Sequence, residues 1–297
     1  MSKGILLSVM ASTLFACMYY LTAWLAPMDG EEIFGWRMLL TLPCVSLFLC
    51  FSGDWPLIAS LLRRLPAQPL LWLGCIATAT LLGLQLWVFL WAPLHGRSLE
   101  VSMGYFLLPL SMVLTGRWVY GERLSRLQKI AVACAAVGVG HELLVHGSFA
   151  WETLLVAGAY PFYFIIRRAC GTDHLGGLWV DMALMIPVAA AFVLTGPMSS
   201  AGLAAHPALY GLIPLLGLIS ALALVCYVLA SRLLAFSLFG LLSYVEPVLL
   251  VAVALLLGES ISADQWLTYL PIWLAVLVLI LEGSRHLARQ RRQSASR

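Results

Sequence analysis

Long apolar runs alternate with short polar or Gly/Pro-rich breaks along this chain from residue 4 to residue 282. A helix that crosses a bilayer needs about 20 mostly apolar residues, because it rises about 1.5 Å per residue through about 30 Å of hydrocarbon. Ten runs meet that requirement: 4–26, 33–52, 69–93, 99–120, 127–145, 149–167, 175–195, 207–231, 236–257 and 265–282. The first has an apolar stretch too long for a cleavable signal peptide and no small-residue cleavage pattern after it. The longest polar segments, 53–68 and 283–297, are too short for a soluble domain. The pattern predicts an all-α integral membrane protein with ten transmembrane helices.

Composition names the solvent. Of 297 residues 62% are apolar and 10% charged, against about 25% charged in soluble domains. So few charges cannot cover a soluble surface, so lipid must meet most of it. Seven cysteines lie within or at the ends of apolar runs without CxxC or Cys/His spacing. They read as small apolar fillers, and neither a disulfide framework nor a metal site is expected.

Charge placement tests the count of spans. With the N-terminus cytoplasmic, fifteen of the seventeen Lys and Arg residues fall on the cytoplasmic side. The exceptions are Arg97, and Arg37 near the start of the second span, while the outer loops carry Asp29, Glu31, Glu32, Glu259 and Asp264. Cytoplasmic loops attract Lys and Arg, so both termini are expected inside a multi-pass inner-membrane protein, and the span count is even. The basic tail reads as a topology anchor, with anionic lipid as a further partner and no role in nucleic-acid binding.

Two segments echo one another. Tyr105…Pro109 leads through an apolar stretch to Gly121-Glu122, and Tyr244…Pro247 leads likewise to Gly258-Glu259. The first copy runs inward and the second outward, so the halves are inverted repeats, a recurrent transporter plan with substrate held between the halves. This divides the chain into a first five-helix repeat at 1–145, a second at 146–283 and a basic cytoplasmic tail at 284–297. Pro109 and Pro247 each lie about ten residues into a helix, near mid-membrane. There a proline frees a carbonyl and can kink the helix.

These strings resemble a known family. Phe89-x-Trp91-Ala92, Glu100-x-Ser102-x-Gly104-Tyr105-Phe106-x-x-Pro109-Leu110 and Gly121-Glu122-Arg123-Leu124 are similar to the RarD-type branch of the EamA family, in the drug/metabolite transporter (DMT) superfamily. Glu32-x4-Arg37, Tyr244-x2-Pro247 and Gly258-Glu259 fit the same pattern. The resemblance implies ten helices in two EamA repeats, no ATP hydrolysis, and export or exchange of small metabolites or drugs. The chain departs from that pattern at Gln85-Leu86, Leu108 and Glu246, all on helices expected to line the pocket.

Glu246 is the sharpest candidate. A charged side chain at mid-membrane costs about 3 kcal/mol on insertion scales and marks function by default. A carboxylate there can carry a proton or meet a cationic solute; the plain alternative is a protonated Glu bonded to a neighbouring helix. Arg37 sits four residues inside the outer end of its helix, so it either snorkels to water or pairs with Glu100 as an outer gate. Asp181, two turns into the seventh helix, is its inverted counterpart, with Arg167 and Arg168 as neighbouring cations. Tyr105, Tyr244, Gln85, Trp87, Tyr160 and Tyr163 are candidates for a lining that stacks on and hydrogen-bonds an amphipathic solute. The Gly-Glu turns read as helix ends.

The chain lacks a GxxxxGK[ST] phosphate loop, a metalloprotease HExxH motif and a nucleophile elbow. The expected activity is therefore secondary transport of a small solute by alternating access, with no enzyme activity, no cofactor and no metal, and a monomer as the sufficient unit. Proton coupling through Glu246 is the leading reading. The alternatives are an uncoupled facilitator or exchanger, a non-transporting membrane sensor or regulator, and an intramembrane enzyme.

Overall fold

The computed structural model describes residues 2–94, 98–146, 150–197, 203, 205–256, 266–268, 270–279 and 281. Among them every regular element is helical. The elements are α1 (Ser2–Thr22), α2 (Gly30–Ser52), α3 (Trp55–Arg64), α4 (Pro69–Leu94), α5 (Ser98–Trp118), α6 (Arg126–His146), α7 (Trp151–Cys170), α8 (Leu175–Thr195), α9 (Leu209–Leu233), α10 (Phe236–Leu242) and α11 (Val245–Leu256). A shorter apolar helix, α12, covers Trp266–Leu279.

Among the described residues seven stretches are long and apolar enough to cross a membrane: α1, α2, α4, α6, α8, α9 and the segment Phe236–Val253 that joins α10 to α11. α5 and α7 are equally long but more polar, with Ser98, Glu100, Ser102, Ser111, Thr115 and Arg117 in one and Glu152, Thr153, Arg167 and Arg168 in the other. Both pack against each other and against neighbours.

Local chemistry sets the helix ends. Asp29 caps α2 by accepting the Glu32 N–H at 2.7 Å, satisfying a donor that the first turn leaves free. Gly53 and Gly171 end α2 and α7 with φ of 75° and 63°, a left-handed conformation that costs glycine little. Two elements depart from the sequence reading. Residues 55–64 form the amphipathic helix α3, which buries Ile58 and Leu61 and ends in Arg63 and Arg64, a composition suited to a membrane surface. The ninth span, read as one run over 236–257, is interrupted at Ser243 and Tyr244 between α10 and α11.

The helices pack in a reciprocal pattern. α1 lies against α9 and α11, while α7 lies against α4 and α5; α2 meets α8 and α9, and α8 in turn meets α4. α5 crosses α10 so closely that a Cβ on Gly240 would come within 2.5 Å of Met112 Cβ. α6 and α12 share an apolar seam of Ala131, Ala135, Val139, Ile272 and Ala275. At its end Thr268 Oγ1 donates to Glu142 Oε2 at 2.5 Å. The Gly121-Glu122 turn holds two helices together, because Glu122 accepts the N–H groups of Phe236 and Ser237 at 2.6 and 2.7 Å and so caps α10.

Candidate substrate cavity

Six helices converge on a small central cavity. Its walls are Phe15 and Met18 of α1, Arg37 of α2, Leu86 and Phe89 of α4, Tyr105 of α5, Tyr160 of α7 and Glu246 of α11. Its volume of about 20 Å³ has room for about one water.

Depth follows from helix rise. Glu246 lies ten residues beyond Phe236, about 15 Å along the span at 1.5 Å per residue. The interruption at Ser243 and Tyr244 places Glu246 in the first turn of α11, with its N–H donating to the Ser243 carbonyl at 3.2 Å. Pro247 follows it, where a missing N–H costs nothing, whereas Pro109 lies within the unbroken α5.

Arg37 is 2% exposed and does not snorkel. Its Nε donates to Ser220 Oγ of α9 at 2.9 Å, and Ser220 lies eleven residues beyond Leu209, about 16 Å into its helix. The guanidinium is thus drawn inward, to the depth of Glu246. Its Nη2 has no hydrogen-bond partner. Arg37 and Glu246 share the cavity and feel each other's charge, yet no ion pair within 4.0 Å joins them.

Aromatic rings close the rest. Phe89 meets Tyr105 edge-on with centroids 5.6 Å apart, and Tyr160 meets Tyr227 at 5.6 Å. Phe15 also packs against Tyr227, at 6.0 Å. Gln85 is fully buried beside Tyr105, and neither atom of its amide makes a hydrogen bond of good geometry.

The structure therefore brings together Arg37, Tyr105, Tyr160 and Glu246, with Gln85 alongside. The other candidates lie elsewhere. Tyr244 is fully buried, and its hydroxyl donates to the Phe106 carbonyl at 3.0 Å. Trp87 lines a separate apolar groove of about 500 Å³ between α2, α4 and α8. The Glu100 side chain lies outside the described residues, as does Glu259.

Asp181 and Tyr163 belong to a second buried network. Arg167 Nη1 lies 3.3 Å from Asp181 Oδ2, and Tyr163 Oη donates to the same oxygen at 3.1 Å. Thr78 of α4 donates to Asp181 Oδ1 at 2.7 Å. Arg167 also donates to Tyr163 Oη and to the carbonyls of Thr172 and His174, so every charge is satisfied. It ties α4, α7 and α8 together, with Tyr163 edge-on to the cavity's Tyr160 at 6.3 Å and none of its own members in the cavity lining.

Sequence reasoning missed Phe15, Met18, Phe89, Ser220 and Tyr227. A lone serine in the middle of the apolar α9 was the available signal for Ser220; the aromatic residues carried none, because spans are rich in them.

No family model matches the chain. It is 47% identical over 98% of its length, and 98% of the relative's, to the chloramphenicol-sensitive protein RarD of Pseudomonas aeruginosa. An uncharacterized transporter of Pasteurella multocida is 39% identical over 98% of this chain and 99% of its own. The protein RarD of Escherichia coli is 27% identical over 95% of each. A solved crystal structure, 18% identical, superposes with a TM-score of 0.66 over 96% of this chain and 98% of that one, so the fold is shared. An all-helical multi-pass membrane protein with such relatives is a membrane transporter of small molecules. The chain belongs to the RarD-type family of drug/metabolite transporters.

Proposed function

We propose that this protein is a secondary transporter that moves a small metabolite or drug-like solute across the inner membrane by alternating access. The observation that carries the reading is the convergence of Arg37, Tyr105, Tyr160 and Glu246, from widely separated parts of the chain, on one small cavity among the helices. A cavity of about 20 Å³ cannot hold a metabolite, so the cycle must open it to one side and then the other.

The architecture proposed is ten spans in two inverted repeats, 1–145 and 146–283, with both termini cytoplasmic. The reciprocal packing supports it. In span order α1, α2, α4, α5 and α6 correspond to α7, α8, α9, the α10–α11 pair and α12. Under that exchange the α1–α9 contact maps onto α7–α4, α1–α11 onto α7–α5, and α2–α9 onto α8–α4; α2–α8 maps onto itself. Arg37 with Ser220 and Asp181 with Thr78 are mates under the same exchange.

Glu246 is the coupling residue in this reading, carrying a proton across as the cavity changes sides. The protein works as a monomer, since one chain holds both halves. Uptake or efflux in proteoliposomes, measured across pH 5–8 for wild type and Glu246→Gln, tests it. The wild type should respond to pH and the variant should lose that response while still inserting in the membrane. Identical pH profiles would show an uncoupled facilitator or exchanger instead.

A further inference from the structure

A cationic and an acidic side chain face one small cavity without pairing. Arg37 presents an Nη2 with no partner, while its Nε is held by Ser220 at 2.9 Å. Glu246 lines the same cavity from α11 and makes no ion pair with Arg37. Phe15, Met18, Phe89, Tyr105 and Tyr160 line the same cavity. The contrast with Arg167 and Asp181 is informative. That pair is fully buried, its charges meet at 3.3 Å, and it fills its remaining sites with hydroxyls and carbonyls. A structural ion pair in this protein closes on itself; the cavity pair stays apart.

Charges in a weakly polar interior must be neutralised by something. A monovalent cation would satisfy Glu246 and be repelled by Arg37, and a monovalent anion would do the reverse. A neutral solute would leave both charges stripped of water. A dipolar solute answers both. Its anionic group meets the free guanidinium nitrogen in a charge-assisted hydrogen bond, and its ammonium meets Glu246 and the faces of Tyr105 and Tyr160. The small apolar body between or beside its charges packs on the aromatic wall.

We propose, resting on the transport reading of this cavity, that the substrate class is zwitterionic: a small solute carrying one ammonium and one carboxylate or similar anion on an apolar body. Arg37 holds the anionic end and Glu246 the cationic end. Ser220 is a positioning residue that keeps the guanidinium at cavity depth.

The test uses the purified full-length protein in detergent and reads thermal protection, because a ligand that binds only the folded state raises the melting temperature. The probes are the common free amino acids with apolar side chains and three derivatives of each: the carboxamide (cationic), the N-acetyl form (anionic) and the N-acetyl carboxamide (neutral). At least one free amino acid should protect, with an affinity about tenfold or more above each of its derivatives, the ratio expected for one lost charged hydrogen bond. In Arg37→Gln the parent should fall to the level of its carboxamide, and in Glu246→Gln to that of its N-acetyl form. Equal or better protection by any singly charged or neutral derivative overturns the zwitterion assignment, and so does a lack of protection by every parent. Tyr160→Leu separates the two readings. If a neutral derivative protects best and loses that effect in Tyr160→Leu, the cavity remains the transport site and only the charge assignment falls. If nothing protects and Glu246→Gln transports as wild type does, the cavity reading falls as well.

Discussion

Arg37 of α2 and Ser220 of α9 meet at 2.9 Å, with both side chains buried. Without that bond, the long arginine side chain would be free to lift its charge toward the outer interface, about two turns away. Ser220→Ala should therefore leave the protein folded but weaken substrate binding about tenfold, the scale of one hydrogen bond to a charged group. Ser220→Thr, which keeps the hydroxyl, should retain most of the affinity. Titration of each variant with transported solute, beside its melting temperature, checks this. Equal affinity in all three proteins would remove Ser220 from the site.

The Arg167–Asp181 pair makes a different prediction, because it is closed on itself and neither member lines the cavity. Removing one partner of a buried ion pair leaves the other uncompensated and costs about 3–5 kcal/mol. Asp181→Asn keeps the acceptor for Thr78 but strands the Arg167 charge, so the loss should lie toward the low end. Asp181→Asn with Arg167→Gln should cost less than the two single losses added together, as a double-mutant cycle requires of coupled residues. Unfolding in mixed micelles measures all four proteins. Strict additivity would mean that the two side chains act independently.

How much of this was legible depends on what makes each feature. Helix positions follow from apolar run length, which acts locally along the chain. The convergence of Glu246, Tyr105 and Tyr160 was partly readable, since each is a polar group about midway along an apolar run. Arg37 was not, because its depth is set by Ser220, 183 positions away, and not by its own place near the end of a helix. Tyr244 was misleading for the same reason: it repeats Tyr105 in the motif, yet its hydroxyl is taken up by the Phe106 carbonyl. The break between α10 and α11 at Ser243 and Tyr244 was announced by Pro247, which cannot donate to the carbonyl four residues before it, that of Ser243, and so interrupts the ladder there.

His174 gives a pH dependence outside the spans. Its Nδ1 accepts the Gly177 N–H at 3.3 Å and caps α8, which requires an unprotonated nitrogen. Burial, aided by the positive charge of Arg167, lowers its pKa from the ordinary value of 6.5. The unfolded chain therefore takes up a proton as pH falls through about 6.5, while the folded protein resists until its own lower pKa. Stability from this group is complete above pH 6.5, declines below it and levels off at the folded pKa. Melting temperatures across pH 5–8 should show that decline in wild type, and His174→Asn, which keeps a capping side chain, should flatten it. An unchanged slope would place the acid sensitivity elsewhere.

Gly240 and Gly140 form a matched contrast. A Cβ on Gly240 would stand 2.5 Å from Met112 Cβ and 3.4 Å from the Pro109 carbonyl oxygen, where α10 crosses α5. Because the clash is at the root of the methionine side chain, no rotamer relieves it, and the helices themselves must separate. Overpacking of this kind costs about 1–3 kcal/mol. Gly140, in α6, has nothing within 4 Å of the same position among the described residues, so alanine there should be neutral or stabilising by up to about 1 kcal/mol. The crossing also sits beside the turn that carries Glu246, and forcing it apart should disturb transport more than stability alone explains. Gly240→Ala should thus lose a larger share of its transport rate than Asp181→Asn when both are compared at temperatures equally far below their melting points. Equal losses would mean that the α5–α10 crossing serves packing only.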